Sequence, residues 1–222
     1  MTTWARFWAV DFHVHTPGSQ DAKDEYFGPP RDIVHAAIAA KLDAIVITDH
    51  NTVSWCKDVA DAANGTPLVV LPGVEISTTE GHLLAVWEQG TDPGLIEEVL
   101  VKLNIGQADR GKLDIAADVG FSHAAAKVAA SGGVAIPAHI EKDKGLMRLT
   151  VKAHVKQILL DEAISAVEVA HLDTVEDVRT ALPDSGIWPS CADRTHGIRT
   201  RVVTRCAESV HGAHGSKPVD QT

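Results

Sequence analysis

Four short apolar runs in this chain each end in a histidine or a carboxylate, and this repeated pattern limits the possible folds more than any other feature. The first run ends in His13 and His15, which a strand would place on one face because its side chains alternate. The later runs end at His50, Glu75 and His139. A single His-x-His would be weak evidence in a chain with twelve histidines. Repeated at several strand ends, the pattern predicts a metal site.

The spaces between the apolar runs have helical periodicity, so strands and helices alternate along the chain. We predict helices over 32–40, 54–63, 93–103, 119–131, 151–163 and 175–182, and strands over 10–15, 42–48, 68–71, 83–87, 134–136, 166–170 and 187–190. Alternation predicts parallel pairing through right-handed crossovers, which gives a doubly wound sheet or a barrel. The barrel is favoured because candidate ligands follow at least five strands, whereas an open sheet concentrates its site at one switch point.

Composition places the chain among ordinary globular proteins of one domain, with 222 residues and 45% apolar residues. The net charge of −10 argues against non-specific nucleic-acid binding through a basic surface, although bound divalent ions would offset acidic groups locally. Cys56, Cys191 and Cys206 lack the paired spacing of disulfides or zinc sites. No apolar run suits a membrane helix or an export signal, so we expect a cytoplasmic protein with no membrane contact.

Histidines and carboxylates at or near the strand ends form the candidate ligand set. Its members are His13, His15, Asp21, His50, Glu75, His82, His139, Asp193 and His196. Imidazole combined with carboxylate suits zinc, manganese or iron, and magnesium is a further candidate. The set exceeds the needs of one ion, and a bridging carboxylate such as Glu75 would let two ions hold a hydroxide between them. That chemistry is typical of phosphoester hydrolysis.

Five motifs stand in order along the chain, at 11–16, 47–52, 72–77, 81–84 and 137–139, and read DFHVHT, ITDHNT, PGVEIS, GHLL and PAH. Together they resemble the motifs of the PHP superfamily, which is named for polymerase and histidinol phosphatase. The resemblance extends from about residue 9 to residue 190. Residues 17–19 and 75–82 look most similar to PHP modules that precede a large ATPase or nuclease partner. No ATPase fits in this chain, which has no Gly-x-x-x-x-Gly-Lys-Ser/Thr loop, so an ATPase is a candidate partner.

The resemblance implies a single PHP domain over residues 1–196, an α/β fold built as a distorted (β/α)7 TIM-like barrel, and a site of two or three metal ions. It implies a first ion on His13, His15, Glu75 and Asp193, a second on Glu75, His82 and His139, and a third on Asp21, His50 and His196. Glu75 and Asp193 would be the catalytic residues. The substrate would be a nucleotide, an oligonucleotide end or a small phosphate monoester.

The last motif departs from the family pattern, which separates its aspartate and histidine by one residue. Here two residues lie between Asp193 and His196, so a turn or bulge must re-aim one of them if both bind metal. The tail over 197–222 loses apolar periodicity and is expected to be poorly ordered or altered. These departures leave a second hypothesis open, a catalytically impaired metal-binding or interaction remnant of an ATPase-associated protein. A nuclease acting on nucleic-acid ends is the third.

Asp11 and Asp49 each stand close to a candidate ligand in the sequence. One interpretation is that their carboxylates accept imidazole N–H groups and so fix the tautomers of the ligands. The other is that they cap strand ends. The sequence favours neither interpretation over the other.

Overall fold

The computed structural model describes residues 8–22, 28–113 and 117–170, together with Val178 and Thr180. The elements, in chain order, are β1 (Val10–Val14), α1 (Pro30–Ala39), β2 (Ala44–Ile47), α2 (Cys56–Ala62), β3 (Val69–Thr78), β4 (Gly81–Val86), α3 (Pro93–Lys102), α4 (Phe121–Ala130), β5 (Val134–Pro137), α5 (Leu146–Leu149) and α6 (Lys152–Leu159). A 3-10 turn at Gln107–Asp109 follows α3. No helix in these described ranges has the length and apolar character needed to cross a membrane.

The predicted helices in the described ranges are present, with ends shifted by a few residues. Pro30 starts α1, since proline fits the first helical turn, where its missing N–H is not needed. Pro93 does the same for α3, and the Asp92 side chain accepts the N–H of Gly94 at 2.9 Å as an N-cap. The predicted strand over 187–190 lies outside the described residues, as does the predicted helix over 175–182 except for Val178 and Thr180.

The five strands form one sheet in the order β1-β2-β3-β4-β5. β1, β2 and β3 pair in parallel, whereas β4 is antiparallel to both β3 and β5. The prediction of parallel pairing throughout is therefore wrong at β4. The physical reason is the link from β3 to β4, which is only Thr79 and Glu80, and a connection that short can join only antiparallel neighbours.

β3 changes its pairing partner in the middle of its length. Its first part pairs with β2 up to Pro72, and its second part pairs with β4 from Gly73 onwards. Proline lacks the N–H that a β-ladder needs. Pro72 is tolerated here because it stands where the pairing with β2 ends and the pairing with β4 begins. The sequence predicts that the strand ends before Pro72 and Gly73, but β3 continues through this pair. Glu75 therefore lies within the strand and not after it.

The segment over 166–170, predicted as a strand, runs beside β5 without forming a regular ladder. Ser165 donates its N–H to the carbonyl of Ala135 at 3.2 Å, and Glu168 donates its N–H to that of Pro137 at 2.9 Å. The described fold is a mixed α/β fold with a five-stranded sheet. Closure into the seven-stranded barrel stays a prediction.

Two apolar clusters cover the sheet. The larger one packs the helices against the sheet, and the smaller one consists of Val46, Leu84, Val86, Ile136, Ala138 and Ala166 with partly buried Phe12 and Leu71. Leu84 is paired with Glu75 across β3 and β4, so their side chains share one face. The smaller cluster therefore forms the apolar floor on the face of the sheet that carries the candidate ligands.

Candidate metal centre

Glu75 lies at the centre of five imidazoles, with its side chain only 1% exposed. Its Oε2 lies 3.0 Å from His13 Nε2, 2.9 Å from His15 Nε2 and 3.3 Å from His50 Nε2, and its Oε1 lies 2.8 Å from His82 Nδ1 and 3.3 Å from His139 Nε2. The two oxygens of one carboxylate thus face two different sets of imidazoles. This is the arrangement that a carboxylate bridging two ions requires.

His13 and His15 stand at the end of β1 and point to the same place, as the strand alternation predicts. Their Nε2 atoms lie 3.0 Å apart, and each is within 3.0 Å of Glu75 Oε2. The pairing of β1 with β2 shifts register between Asp11 and Val14, so the ladder is irregular at His13. Three ligand atoms therefore converge around one point.

Asp21 lies on the loop after β1 and contacts His15 more closely than His50. Its Oδ2 is 2.7 Å from His15 Nδ1 and 3.8 Å from His50 Nε2. It can therefore serve as a ligand in a group with these two histidines, or it can orient the His15 ring from behind. The ligand role that the family resemblance implies stays a prediction.

Two loops that carry ligands are fastened to each other through buried hydrogen bonds. Asp49 accepts the backbone N–H of Thr16 at 2.6 Å and its hydroxyl at 2.5 Å, while the Ser19 hydroxyl accepts the N–H of His50 at 2.7 Å. Gly111 is hydrogen-bonded to both loops, because its N–H donates to the His50 carbonyl and its carbonyl accepts the N–H of Gln20. Its φ of +73° is a conformation that favours glycine.

His82 and His139 complete the set from the antiparallel side of the sheet. His82 lies on β4, and His139 follows β5 with a φ of 28°, which is unusual outside glycine. His82 Nδ1 lies close to Glu75 Oε1, but the angle between them is not that of a hydrogen bond. This buried nitrogen therefore has no hydrogen-bond partner among the described residues. A divalent ion shared by both atoms would satisfy this nitrogen, which is otherwise costly to bury.

Among the residues that the structure describes, three groups of candidate ligands have their donor atoms within 4.8 Å of one another. They are His13 with Glu75 and His139, His15 with Asp21 and His50, and His50 with Glu75 and His82. Imidazoles combined with carboxylates suit zinc, manganese or iron better than calcium, so these residues fit the metal site predicted from the sequence. These groups overlap only in part with the three ion positions that the family resemblance implies.

Burial and the neighbouring imidazoles shift the pKa values of two carboxylates in the site in opposite directions. Burial alone would raise the pKa of Glu75, but His13 beside it, helped by His139 and His15, holds that pKa well below its usual range. Burial likewise opposes ionisation of Asp21, yet the hydrogen bond from His15 lowers its pKa to about 2. Both carboxylates are therefore negatively charged at neutral pH, which is the form that binds metal.

The pKa values of the buried imidazoles shift in opposite directions, depending on whether a carboxylate lies close enough to outweigh burial. Burial alone would lower the pKa of His13, but Glu75 and Glu168 outweigh it and raise that pKa well above its usual value. Burial also opposes charging of His15, and its hydrogen bonds with Asp21 and Glu75 raise its pKa to about 9. For His50 burial dominates and lowers the pKa to about 4. The metal-free site thus carries protons on His13 and His15 that an ion must displace.

Glu168 is a site residue that the sequence reasoning missed. Its side chain is 0% exposed, its oxygens lie 3.0 and 3.2 Å from His13 Nδ1, and it accepts the backbone N–H of His139 at 2.9 Å. Burial opposes its ionisation, but His13 lowers its pKa. The available signal was a glutamate inside the apolar run 166–170, because a buried carboxylate needs a partner.

The carboxylates of Asp11 and Asp49 accept hydrogen bonds from backbone N–H groups and not from imidazoles. Asp11 accepts the backbone N–H of His13 at 3.0 Å, and Asp49 binds Thr16 as described above. Neither bonds an imidazole within the described ranges, so the capping interpretation is the one that the contacts support. Burial, the main cause in each case, raises the pKa of Asp11 and raises that of Asp49 to about 6.

Asp193 and His196, the two late candidate ligands, lie outside the described residues, as does the tail over 197–222. Their roles therefore stay predictions. The other seven candidates, from His13 to His139, are brought into one cluster.

Solved structures of low sequence identity share this fold. A candidate metal-dependent phosphoesterase from Bifidobacterium adolescentis is 17% identical, with a TM-score of 0.59 over 81% of this chain and 85% of that chain. An amidohydrolase from Chromobacterium violaceum is 16% identical, with a TM-score of 0.55 over 81% and 84%. The lesion-specific endonuclease Q from Pyrococcus furiosus is 15% identical, with a TM-score of 0.57 over 73% of this chain but only 42% of the endonuclease.

Comparisons of the sequence with curated proteins and with family models give different results. A comparison with curated proteins finds no significant match. The family model described as the PHP domain, in contrast, matches residues 11–183, a range that holds Glu75, all five imidazoles around it and Glu168. Because this match spans most of the chain and the fold agrees with it, the chain belongs to the PHP domain family.

Proposed function

We propose that the chain is a metal-dependent phosphoesterase that hydrolyses a phosphate monoester, a nucleotide or the end of an oligonucleotide. The observation that carries the proposal is the division of the Glu75 carboxylate, whose two oxygens face two sets of imidazoles. Membership of the PHP family and the likeness to a candidate metal-dependent phosphoesterase support it. Two or three ions of manganese, zinc or iron would occupy these donors.

Divalent ions, when bound, supply Lewis acidity that polarises a phosphoryl oxygen and makes water a better nucleophile at neutral pH. The chain's own residues provide the rest. Glu75 supplies a fixed negative charge, and the buried imidazoles around it present neutral nitrogen donors once their protons have left. The apolar floor below Glu75 limits the water around these donors, which strengthens electrostatic interactions within the site.

We propose that Asp193 acts with Glu75 as a catalytic residue, that His196 contributes a ligand, and that the segments after residue 170 complete the (β/α)7 barrel. The family match, which continues to residue 183, supports the barrel.

The alternative, an impaired remnant that binds metal without turnover, rests on the spacing of Asp193 and His196. The cluster of seven candidate ligands is assembled without these two residues, so metal binding is expected under both hypotheses. Membership of the PHP family and the likeness to a candidate metal-dependent phosphoesterase favour the enzyme. Activity on the ends of nucleic acids is a variant of the same proposal. Strong salt dependence of substrate binding would distinguish it from activity on a small phosphate ester.

The experiment compares wild type with Glu75→Gln, which keeps the shape of the side chain and removes its charge. We expect two or three transition-metal ions per wild-type chain by elemental analysis, and hydrolysis in a screen of phosphate monoesters and oligonucleotide ends. Glu75→Gln should lose at least one ion, and its activity should fall by more than the roughly 10- to 100-fold expected when a ligand loses only its supporting partner.

The matched control is Glu80→Gln, since Glu80 lies in the turn between β3 and β4 and its carboxylate bonds a histidine, His154, that is not a candidate ligand. It should keep wild-type metal content and activity. Full metal occupancy in wild type without turnover on any phosphoester would favour the remnant. Equal metal content in wild type and Glu75→Gln would contradict the bridging role.

A further inference from the structure

Glu168 is held in place by the residues on both sides of His139. Its backbone N–H donates to the carbonyl of Pro137 at 2.9 Å, and its own carbonyl accepts the N–H of Ile140 at 3.0 Å. The side chain adds a third bond, from the N–H of His139 to Oε2 at 2.9 Å. The carboxylate is thus fixed to the turn that carries His139, a turn in which the φ of His139 is 28°.

The same carboxylate faces the back of the His13 ring. Oε2 and Oε1 lie 3.0 and 3.2 Å from His13 Nδ1. An ionised carboxylate only accepts hydrogen bonds, so the proton of a neutral His13 must sit on Nδ1. When a metal ion replaces the other proton of the ring, Nε2, which lies 3.0 Å from Glu75 Oε2 and faces the candidate ligands, is left as the donor.

Glu168 therefore touches two residues that belong to the same candidate ligand group. His13 and His139 both reach Glu75, one through each of its oxygens, and their rings stack with centroids 5.6 Å apart and planes at 17°. One buried carboxylate sets the ring tautomer of the first histidine and the backbone of the second.

We propose that Glu168 is a positioning residue that fixes the His13 tautomer and the turn at His139, and so preorganises the donors of these two histidines for metal binding. The inference rests on the proposed metal-dependent function, which it deepens. Glu168 has no place among the ligands predicted from the sequence, and both of its oxygens face His13 Nδ1 and not the ligand cluster.

The test uses the full chain and zinc as the probe. Zinc affinity is measured by competition with a chromophoric chelator for wild type, Glu168→Ala, Glu168→Gln and the matched control Glu80→Gln. Glu80 pairs with His154 Nε2 and accepts the N–H of Phe121, so it also joins a carboxylate to one imidazole and one backbone N–H, but with none of the ligands. Imidazole NMR of the metal-free protein, recorded at a pH high enough for His13 to be neutral, reports the tautomer of His13, which packing alone would not set.

We expect Glu168→Ala to weaken zinc binding by roughly 10- to 100-fold and to release His13 into a mixture of tautomers. Glu168→Gln keeps an amide oxygen that can accept from Nδ1–H, so its affinity should lie between those of wild type and Glu168→Ala, with the tautomer retained. Glu80→Gln should bind zinc as wild type does. Wild-type zinc affinity in Glu168→Ala, or equal losses in Glu168→Gln and Glu168→Ala, would overturn the positioning role.

Two further outcomes separate this inference from the proposed function. If wild type binds zinc but hydrolyses no phosphoester, the proposed activity fails while the affinities still decide the role of Glu168. If wild type binds no zinc, the inference fails together with the proposed metal site. If Glu168→Ala does not fold, the Nδ1 proton of neutral His13 in metal-free wild type and Glu168→Gln decides it. A hydrogen-bonded Nδ1 proton in both supports the inference, and its absence in wild type overturns it.

Discussion

At the scale of the residue, the site is a balance between one buried negative charge and the imidazoles that surround it. A carboxylate as buried as Glu75 would be very costly if it stood alone. Protonated His13 and His15 offset that cost in the metal-free protein, and positive ions can replace these protons because they occupy the same side of Glu75. The site therefore exchanges protons for metal.

This exchange predicts how metal binding depends on pH. His15, with a pKa of about 9, carries a proton at neutral pH that zinc must expel, whereas His50, with a pKa of about 4, carries none. The apparent zinc affinity should therefore rise as pH increases from about 6.5 towards about 9, and His13, whose pKa is also raised, adds to this rise. Calorimetry in buffers of different ionisation enthalpy would measure the protons released. An affinity that does not change over this range would contradict the raised pKa of His15.

At the scale of the element, the position of Glu75 depends on the change of partner within β3. The parallel half of the sheet brings His13, His15 and His50 to one side of Glu75, and the antiparallel half brings His82 to the other. Gly73 stands where the halves join, and a Cβ there would lie 2.8 Å from Val46 Cγ1 and 2.9 Å from the Ala85 carbonyl. The join is therefore too tight for a side chain.

We expect Gly73→Ala to lower the free energy of unfolding by about 1–3 kcal/mol, because overpacking at this point must push β2 and β4 apart. The control is Gly106→Ala, since Gly106 has a φ of −82° and a Cβ there would have its closest contact at 3.4 Å. Its effect should stay within about 0.5 kcal/mol. Urea unfolding of the metal-free proteins measures both. Equal stability of the two variants would show that the join has room to adjust.

The same elements show what sequence reasoning could and could not supply. The alternating apolar runs predicted the strands, and the motif residues predicted seven members of the cluster. A local pattern does not specify a pairing partner, so the antiparallel direction of β4 was missed. Pro72 and Gly73 predicted an end to β3, whereas they mark its change of partner. Glu168 was missed because its partner, His13, is far away in the sequence.

At the scale of the whole molecule, the ligands join segments that are otherwise separate parts of the fold. His13 lies on the first strand, Glu75 on the third and His139 after the fifth. An ion that binds all three stabilises the folded chain only, because the unfolded chain does not hold them together.

Metal binding should therefore raise the melting temperature of wild type by more than that of Glu75→Gln, which lacks the ion that Glu75 binds. At a zinc concentration of about 100 times Kd, one site contributes about 2.7 kcal/mol, which corresponds to roughly 5–10 °C for a chain of this size. Thermal unfolding with added zinc, and again with a chelator, measures the shift. A shift of equal size in Glu75→Gln would place the responsible ion elsewhere.

The contact between Glu168 and His13 also bears on when the site can exist during synthesis. The two residues are 155 positions apart, so the first histidines leave the ribosome well before the carboxylate that orients one of them. At about 5–20 residues per second, that gap lasts roughly 10–30 s. For that time the nascent chain exposes an unoriented His-x-His to the metal ions of its surroundings. The complete set of donors, and with it any selection among ions, is available only once nearly the whole domain has been made.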